Sequence, residues 1–453
     1  MANVRVWEDD PLAGAEPVER AQAKLPKSPM GISIADVAAP PAKLYEPGSK
    51  GFRYWTAADA LARGTAFWKS VAPRGTSWQA GKTLPVRLDA GEKLNAVYTR
   101  GDLRFFHADV AGTTVYTGES PDVVSHELGH AVLDAVRPQL WDAMSHEVAA
   151  FHESFGDMSA ILVALQQPAV REEVLAETGG SLYRSSRLSR VAEQLGWGQR
   201  QRQPCAAETD CLRNAVNCFS YQRPATLPLT SPAVLLSSLP HSFSRVFTGG
   251  FFQMFAGMVL ALHRPPTSDD LLQASNDAGR LLVAAVRAAP VVPDYFAQVA
   301  AHLLEADAEL FDGRYAAAIQ FGMAGRGILS LQSARAAAAS PGPGLAAHTV
   351  SAAADLPLSA FGGAEFGLDR PVLMRVPGQP RRLAALAAGS DGGPLAAAPA
   401  EDVASGFLRE LLLRQRVALP QEPDPDPDGP GPLKTHRLVD QGDHLAVERV
   451  LVD

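Results

Sequence analysis

The chain reads as an α+β protein with a β-rich N-terminal lobe, a mostly helical C-terminal lobe and a C-terminal accessory region. Three observations predict this. Residues 83–118 alternate apolar and polar side chains between turn signals, the period-two pattern of strands. Residues 138–325 carry apolar positions mostly at helical spacing. After about Ile328 the composition shifts to Ala, Gly and Pro without a clear period. The expected division is an extended segment over 1–50, a β-rich lobe ending in a helix over 51–137, a helical lobe over 138–325 and an accessory region over 326–453.

At 453 residues the chain is long enough for two or three domains. A net charge of −8 gives no support to a nucleic-acid partner. The first ten residues lack a basic stretch followed by an apolar one, so no secretory signal is visible. That favours the cytoplasm and leaves other export routes open. The longest apolar run, Phe251 to Leu262, is too short to span a bilayer and reads as a core helix. No membrane partner is expected. Cys205, Cys211 and Cys218 are too few for a disulfide scaffold, although one local bridge stays open.

In chain order, residues 1–50 are rich in Pro and Ala and read as a lead-in with little core. Residues 54–71 read as a helix capped by Thr56, with Leu61, Ala66, Phe67 and Val71 as its apolar stripe. Strands are expected at 84–89, 95–99, 103–107 and 113–117, with turns at Arg100-Gly-Asp102 and 109–112. Ser120 is a good N-cap, Pro121 suits the first helical turn, and Asp122 favours the positive end of the helix dipole. A helix therefore starts there and ends near Pro138. Further helices are expected at 148–165, 243–263, 268–289 and 294–309, with 179–238 looser. In the accessory region, 407–417 reads as a short helix, 421–432 as a stiff acidic linker and 435–453 as two strands about Gln441-Gly-Asp443.

The helix at Ser120 contains His126-Glu127-Leu-Gly-His130, an H-E-x-x-H pattern. Helical residues four apart share a face, so both imidazoles can reach one metal ion. Glu127 can lean over the ion's open side as a general base. A catalytic zinc commonly takes three protein ligands. Downstream, Glu153 and Asp157 lie four apart in an apolar helix, where acids are costly unless paired or bound to a cation. Glu153 is the expected third ligand. Asp157 is expected to accept a hydrogen bond from a ligating histidine and fix its tautomer. His152 is the competing ligand, but adjacent helical residues point about 100° apart, so only one of the two faces the metal. His107 and His146 are expected to be ordinary surface or core histidines. The metzincin extension is absent, since Leu133 and Val136 stand where its Gly and His belong.

These residues resemble the thermolysin-like gluzincin metallopeptidases. Asp122-Val-Val-Ser-His-Glu-Leu-Gly-His-Ala-Val132 is similar to that family's metal helix, and Glu153 with Asp157 matches its third ligand and orienting aspartate. Asn95-Ala96-Val-Tyr98 resembles its edge strand, which implies that Asn95 and Ala96 hold substrate backbone by strand addition. Pro240-His241-Ser-Phe243 resembles the start of the helix carrying its second active-site histidine, which implies His241 as a donor to the oxyanion. Arg213 stands at a spacing similar to the arginine that holds the substrate carbonyl.

The resemblance covers residues 55–325. It implies one catalytic Zn²⁺ on His126, His130 and Glu153, and hydrolysis of internal peptide bonds in peptide or protein substrates with Glu127 as general base. The chain departs from the family at its calcium cluster, where Leu162, Val163 and Ala164 stand, so calcium is not supported by sequence. It also lacks clear counterparts of the aspartate behind the second histidine and of the catalytic tyrosine. An alternative is a weak or inactive zinc-binding fold that serves as a partner-binding module. An aminopeptidase is disfavoured, because no acid accompanies Asn95 to hold a substrate ammonium.

Overall fold

Strands begin earlier than the sequence predicts. The computed structural model describes residues 2–14, 16–339, 355–378, 385–429, 431 and 433–453. Within the segment expected to be extended with little core, β1 (Asn3–Val6) and β2 (Val18–Ala21) form an antiparallel hairpin, and β3 (Gly31–Ile34) joins the main sheet. Val4, Val6, Met30 and Ile32 are core residues, which corrects the expectation for 1–50. Each strand is only four residues long, too short for its alternation to stand out among the Pro and Ala around it.

Helix α1 (Lys50–Val71) starts four residues before the expected span and is capped by Ser49, not Thr56. Strands β4 (Thr83–Arg87), β5 (Ala96–Tyr98) and β6 (Leu103–Phe105) complete a four-stranded sheet in the order β3-β4-β6-β5, with β5 at one edge. β3, β4 and β6 run parallel, and β5 is antiparallel to β6. A separate hairpin, β7 (His107–Val110) and β8 (Thr113–Tyr116), leads into α2 (Pro121–Val136), whose Ser120 cap accepts from the Val123 amide.

A short α3 (Gln139–Asp142) precedes α4 (His146–Ala164) and α5 (Pro168–Thr178). The looser stretch contains β9 (Arg190–Val191), α6 (Glu193–Arg202) and β10 (Arg213–Asn214), with β9 and β10 paired. Cys205, Cys211 and Cys218 are all free thiols. Helices α7 (Pro240–Leu262), α8 (Ser268–Ala288), α9 (Tyr295–Phe311), α10 (Ala316–Gly325) and α11 (Leu331–Ala339) follow. By length and composition α7 can cross a bilayer, yet 72% of its most apolar window is buried inside the fold. It packs on α4 and α10, so its apolar character serves the core.

The accessory region is a mixed five-stranded sheet. It comprises β11 (Leu358–Phe361), β12 (Val372–Arg375), helix α12 (Ala400–Leu413), β13 (Val417–Ala418), β14 (His436–Asp440) and β15 (Leu445–Arg449), in the order β11-β12-β15-β14-β13. Its apolar cluster includes Phe407, Leu408 and Leu438 and takes in Met144 and Ala149 at the start of α4. The region is therefore docked on the helical lobe. The acidic linker is docked too: Asp428 accepts from Arg104 at 2.9 Å and Asp424 from Arg437 at 3.0 Å. Residues 430 and 432 of that linker lie outside the described residues.

Candidate metal centre

The centre is built where α2 and α4 cross at two glycines. A Cβ on Gly129 would lie 2.8 Å from the Ser159 Cβ and 3.0 Å from the Gly156 Cα. A Cβ on Gly156 would lie 2.5 Å from Cε1 of His126. The two backbones thus meet directly, and the His126 imidazole rests on Gly156. Ser159 locks the crossing by donating to the Ser125 carbonyl at 2.7 Å and accepting from the Trp68 indole at 2.9 Å.

Three side chains converge across this crossing. Nε2 of His126 is 3.5 Å from Oε2 of Glu153, and Nε2 of His130 is 3.8 Å from Oε1 of Glu153. The two imidazoles are 4.7 Å apart and nearly perpendicular. One potential ligand atom each from His126, Glu127 and His130 fall within 4.8 Å of one another. Ligands bonded at about 2.0–2.2 Å to a tetrahedral zinc stand roughly 3.3 Å apart. The separations here are slightly wider than that.

The chemistry of the donors fits a cation. Both ring nitrogens of His130, Oε2 of Glu127 and Oε2 of Glu153 are buried without a hydrogen-bond partner. Buried polar atoms are normally paired, and leaving them unpaired is costly. These groups together could hold a cation, and two imidazoles with a carboxylate are a donor set that zinc accepts.

Protonation follows from burial and neighbours. Burial holds His130 down to about 3, against the pull of Glu153, so its imidazole is neutral. Burial also opposes charge on His126, but the hydrogen bond to Asp157 and the nearby Glu153 carboxylate outweigh it and lift the group to about 9. A metal would displace that proton. Burial alone would raise Glu153, yet His241 and His126 keep it well below the ordinary carboxylate range. Burial raises Glu127 to about 8, with His126 opposing and Glu153 and Asp453 adding.

Behind the cluster, Asp157 lies 3.0 Å from Nδ1 of His126. Arg213, on β10, donates Nη2 to Oδ1 of Asp157 at 2.6 Å and Nε to Oδ2 at 2.9 Å. Burial works against the Asp157 charge, but Arg213 and His126 hold the carboxyl at about 2. The bidentate pair fixes the carboxylate, which in turn fixes the imidazole. In front, Nε2 of His241 is 3.0 Å from Oε2 of Glu153, without hydrogen-bond alignment, and its ring is 30% exposed.

The structure therefore gathers His126, Glu127, His130, Glu153, Asp157, Arg213 and His241. Asn95 stands just before β5, where its carbonyl accepts from Thr117 at 3.0 Å, and Ala96 opens that edge strand, which packs on α2. His152 is buried 5.9 Å from His130 and is kept neutral by burial. His146 meets Glu410 at 2.7 Å, and His107 meets Asp89 at 2.6 Å.

Sequence reasoning missed three features. Gly156 carried a signal, since a glycine inside a buried helix needs a packing reason. A second carboxylate group joins Asp10, Asp122 and Glu193, with ligand atoms within 4.8 Å of one another. Its members come from three distant segments, so no local cluster marked them. The third feature is the segment 450–453 beside β5, described below. No family model matches this chain, and no curated protein matches it.

Proposed function

We propose that this protein is a zinc-dependent metalloendopeptidase of the thermolysin-like type. The observation that carries this reading is the buried convergence of His126, His130 and Glu153, with Glu127 alongside and polar atoms of His130, Glu153 and Glu127 unpaired. A β lobe and a helical lobe that meet at α2 support the same likeness.

His126, His130 and Glu153 would hold the ion. Bound there, zinc supplies Lewis acidity, which brings a water toward neutral pKa and polarises a peptide carbonyl. The remaining steps belong to the chain. Glu127 takes the proton of the attacking water and returns it to the leaving nitrogen, a role suited to a carboxyl that burial has moved toward neutrality. His241, half-open at the start of α7, donates to the oxygen that gains charge. Asp157 orients His126, and Arg213 positions Asp157. The edge of β5 aligns an extended substrate through its main-chain groups.

The test is zinc stoichiometry together with cleavage of a quenched peptide library by wild type and Glu127→Gln. One zinc in each, with cleavage lost by at least about 10²-fold in the variant, is expected. One zinc in each with no cleavage in either protein leaves the partner-binding module and a latent enzyme, which the variants described below separate. No zinc in either overturns both readings.

A further inference from the structure

The geometry points to a built-in occupant of the groove: residues 450–453 lie on β5 as an extended substrate would, and hold the site latent. This rests on the peptidase reading for its consequence and on geometry alone for its contacts.

Strand β5 has β6 on one side only, and its other edge is met by Val452. The Tyr98 amide donates to the Val452 carbonyl at 3.0 Å, and the Val452 amide donates to the Tyr98 carbonyl at 2.9 Å. This is the reciprocal pair of an antiparallel ladder. Outward main-chain groups recur every second residue, so Ala96 faces the same side as Tyr98. The register sets Asp453 opposite Val97, and the segment therefore runs toward Ala96.

The contact is firmly anchored. Leu451 is 1% exposed and packs with Val97 and Phe106. Val452 is 4% exposed and belongs to the main core. The Asp453 carboxylate pairs with Arg416 of the accessory region at 3.0 Å. Behind the segment, the Val450 amide is held by the Thr435 carbonyl at 2.9 Å.

The same segment faces the metal centre. One cleft is lined by Glu153 and His241 together with Arg416, Arg449, Val452 and Asp453. Asp453 acts electrostatically on Glu127, and Arg449 on Glu153. An extended substrate that reached Tyr98 would need the two hydrogen bonds Val452 now makes. Substrate and segment therefore compete for one strand edge. The accessory region supplies the segment directly from the end of β15, so release of the segment opens the cleft.

Two variants test this: full-length Val452→Pro, which cannot donate to Tyr98, and a chain shortened after Arg449, which keeps β15. The readouts are hydrogen exchange at the Tyr98 amide, zinc content and cleavage of quenched peptides. Both variants are expected to lose Tyr98 protection and to gain at least tenfold in kcat/KM. Added Val-Leu-Val-Asp peptide should restore protection and inhibit the shortened chain. Equal cleavage by wild type and both zinc-loaded variants overturns the latency and leaves the peptidase reading intact. Absence of cleavage in all three, with one zinc each, overturns the peptidase reading and latency with it; restored Tyr98 protection by the peptide would then leave only the groove contact. If the shortened chain fails to fold, Val452→Pro alone decides.

Discussion

Gly156→Ala places a methyl group against the ring of His126. The new Cβ would stand 2.5 Å from Cε1 and 2.6 Å from Nδ1, where ordinary contact begins at 3.4 Å. The ring must therefore retreat by about 0.9 Å, or α4 must back away from α2. Neither is easy, because Asp157 holds Nδ1 and Ser159 ties the helices together. Overpacking of this kind costs about 1–3 kcal/mol. The better helix propensity of Ala returns about 0.8–1.0 kcal/mol, for a net loss of up to about 2 kcal/mol. The effect on metal is larger in proportion, since ligand distances tolerate only about 0.2 Å. A fall in zinc affinity of roughly 10–100-fold is expected.

Gly406→Ala in α12 is the matched control. Nothing lies within 4 Å of its added Cβ, so it should stabilise by about 0.5–1 kcal/mol. Denaturant unfolding of the zinc-free proteins and competition titration with a chelator measure both quantities. If Gly156→Ala binds zinc within twofold of wild type and unfolds no earlier than Gly406→Ala, the account of the crossing is wrong.

Asp157→Asn should weaken zinc affinity by about 10–100-fold and destabilise by about 3–5 kcal/mol, because it leaves Arg213 buried without its counter-charge. The Asp157 carboxyl is depressed from 3.8 to about 2, so its contribution is present above pH 3.8 and is lost as pH falls toward 2. Acid unfolding of the zinc-free variant should accordingly be shallower over that window. Glu193 is displaced the other way, from 4.5 to about 10, by burial and then by Asp10, Asp122 and Asp9. A raised carboxyl favours folding below pH 4.5 and loses that advantage as pH rises toward 10. Glu193→Gln should therefore gain stability relative to wild type at pH 8 and much less at pH 5, in metal-free buffer followed by denaturant unfolding. His241→Ala should keep one zinc and lose about 10²–10³-fold in kcat in the Val452→Pro background. An unchanged kcat there removes the histidine from the reaction.

How much of this was legible in sequence depended on whether the signal was local. The start of the H-E-x-x-H helix was readable to the residue, because its cap, its proline, its apolar face and its histidines all lie within Ser120–Val136, while its end falls just short of the expected Pro138. Glu153 and Asp157 were readable from helical spacing. Arg213 was placed near the site only by likeness, and its partner was not predicted. Its pairing with Asp157 joins β10 to α4 across a loop with no periodic signal. The strands of residues 1–50 were hidden by their brevity, and the Asp10-Asp122-Glu193 group by the distances between its members. The edge partner of β5 was the least legible feature, since nothing in Leu451-Val-Asp453 names Tyr98 as its neighbour.

The pairing of Tyr98 with Val452 also sets an order of events during synthesis. Val452 follows His241 by 211 residues. At about 5–20 residues per second, translation takes roughly 10–40 s to cover that distance. Every residue assigned to the metal centre has been made by the start of that interval, and the strand that covers the edge of β5 has not. The cover of β5 is thus made after every residue of the candidate centre, and a chain cut short anywhere in between carries those residues without it.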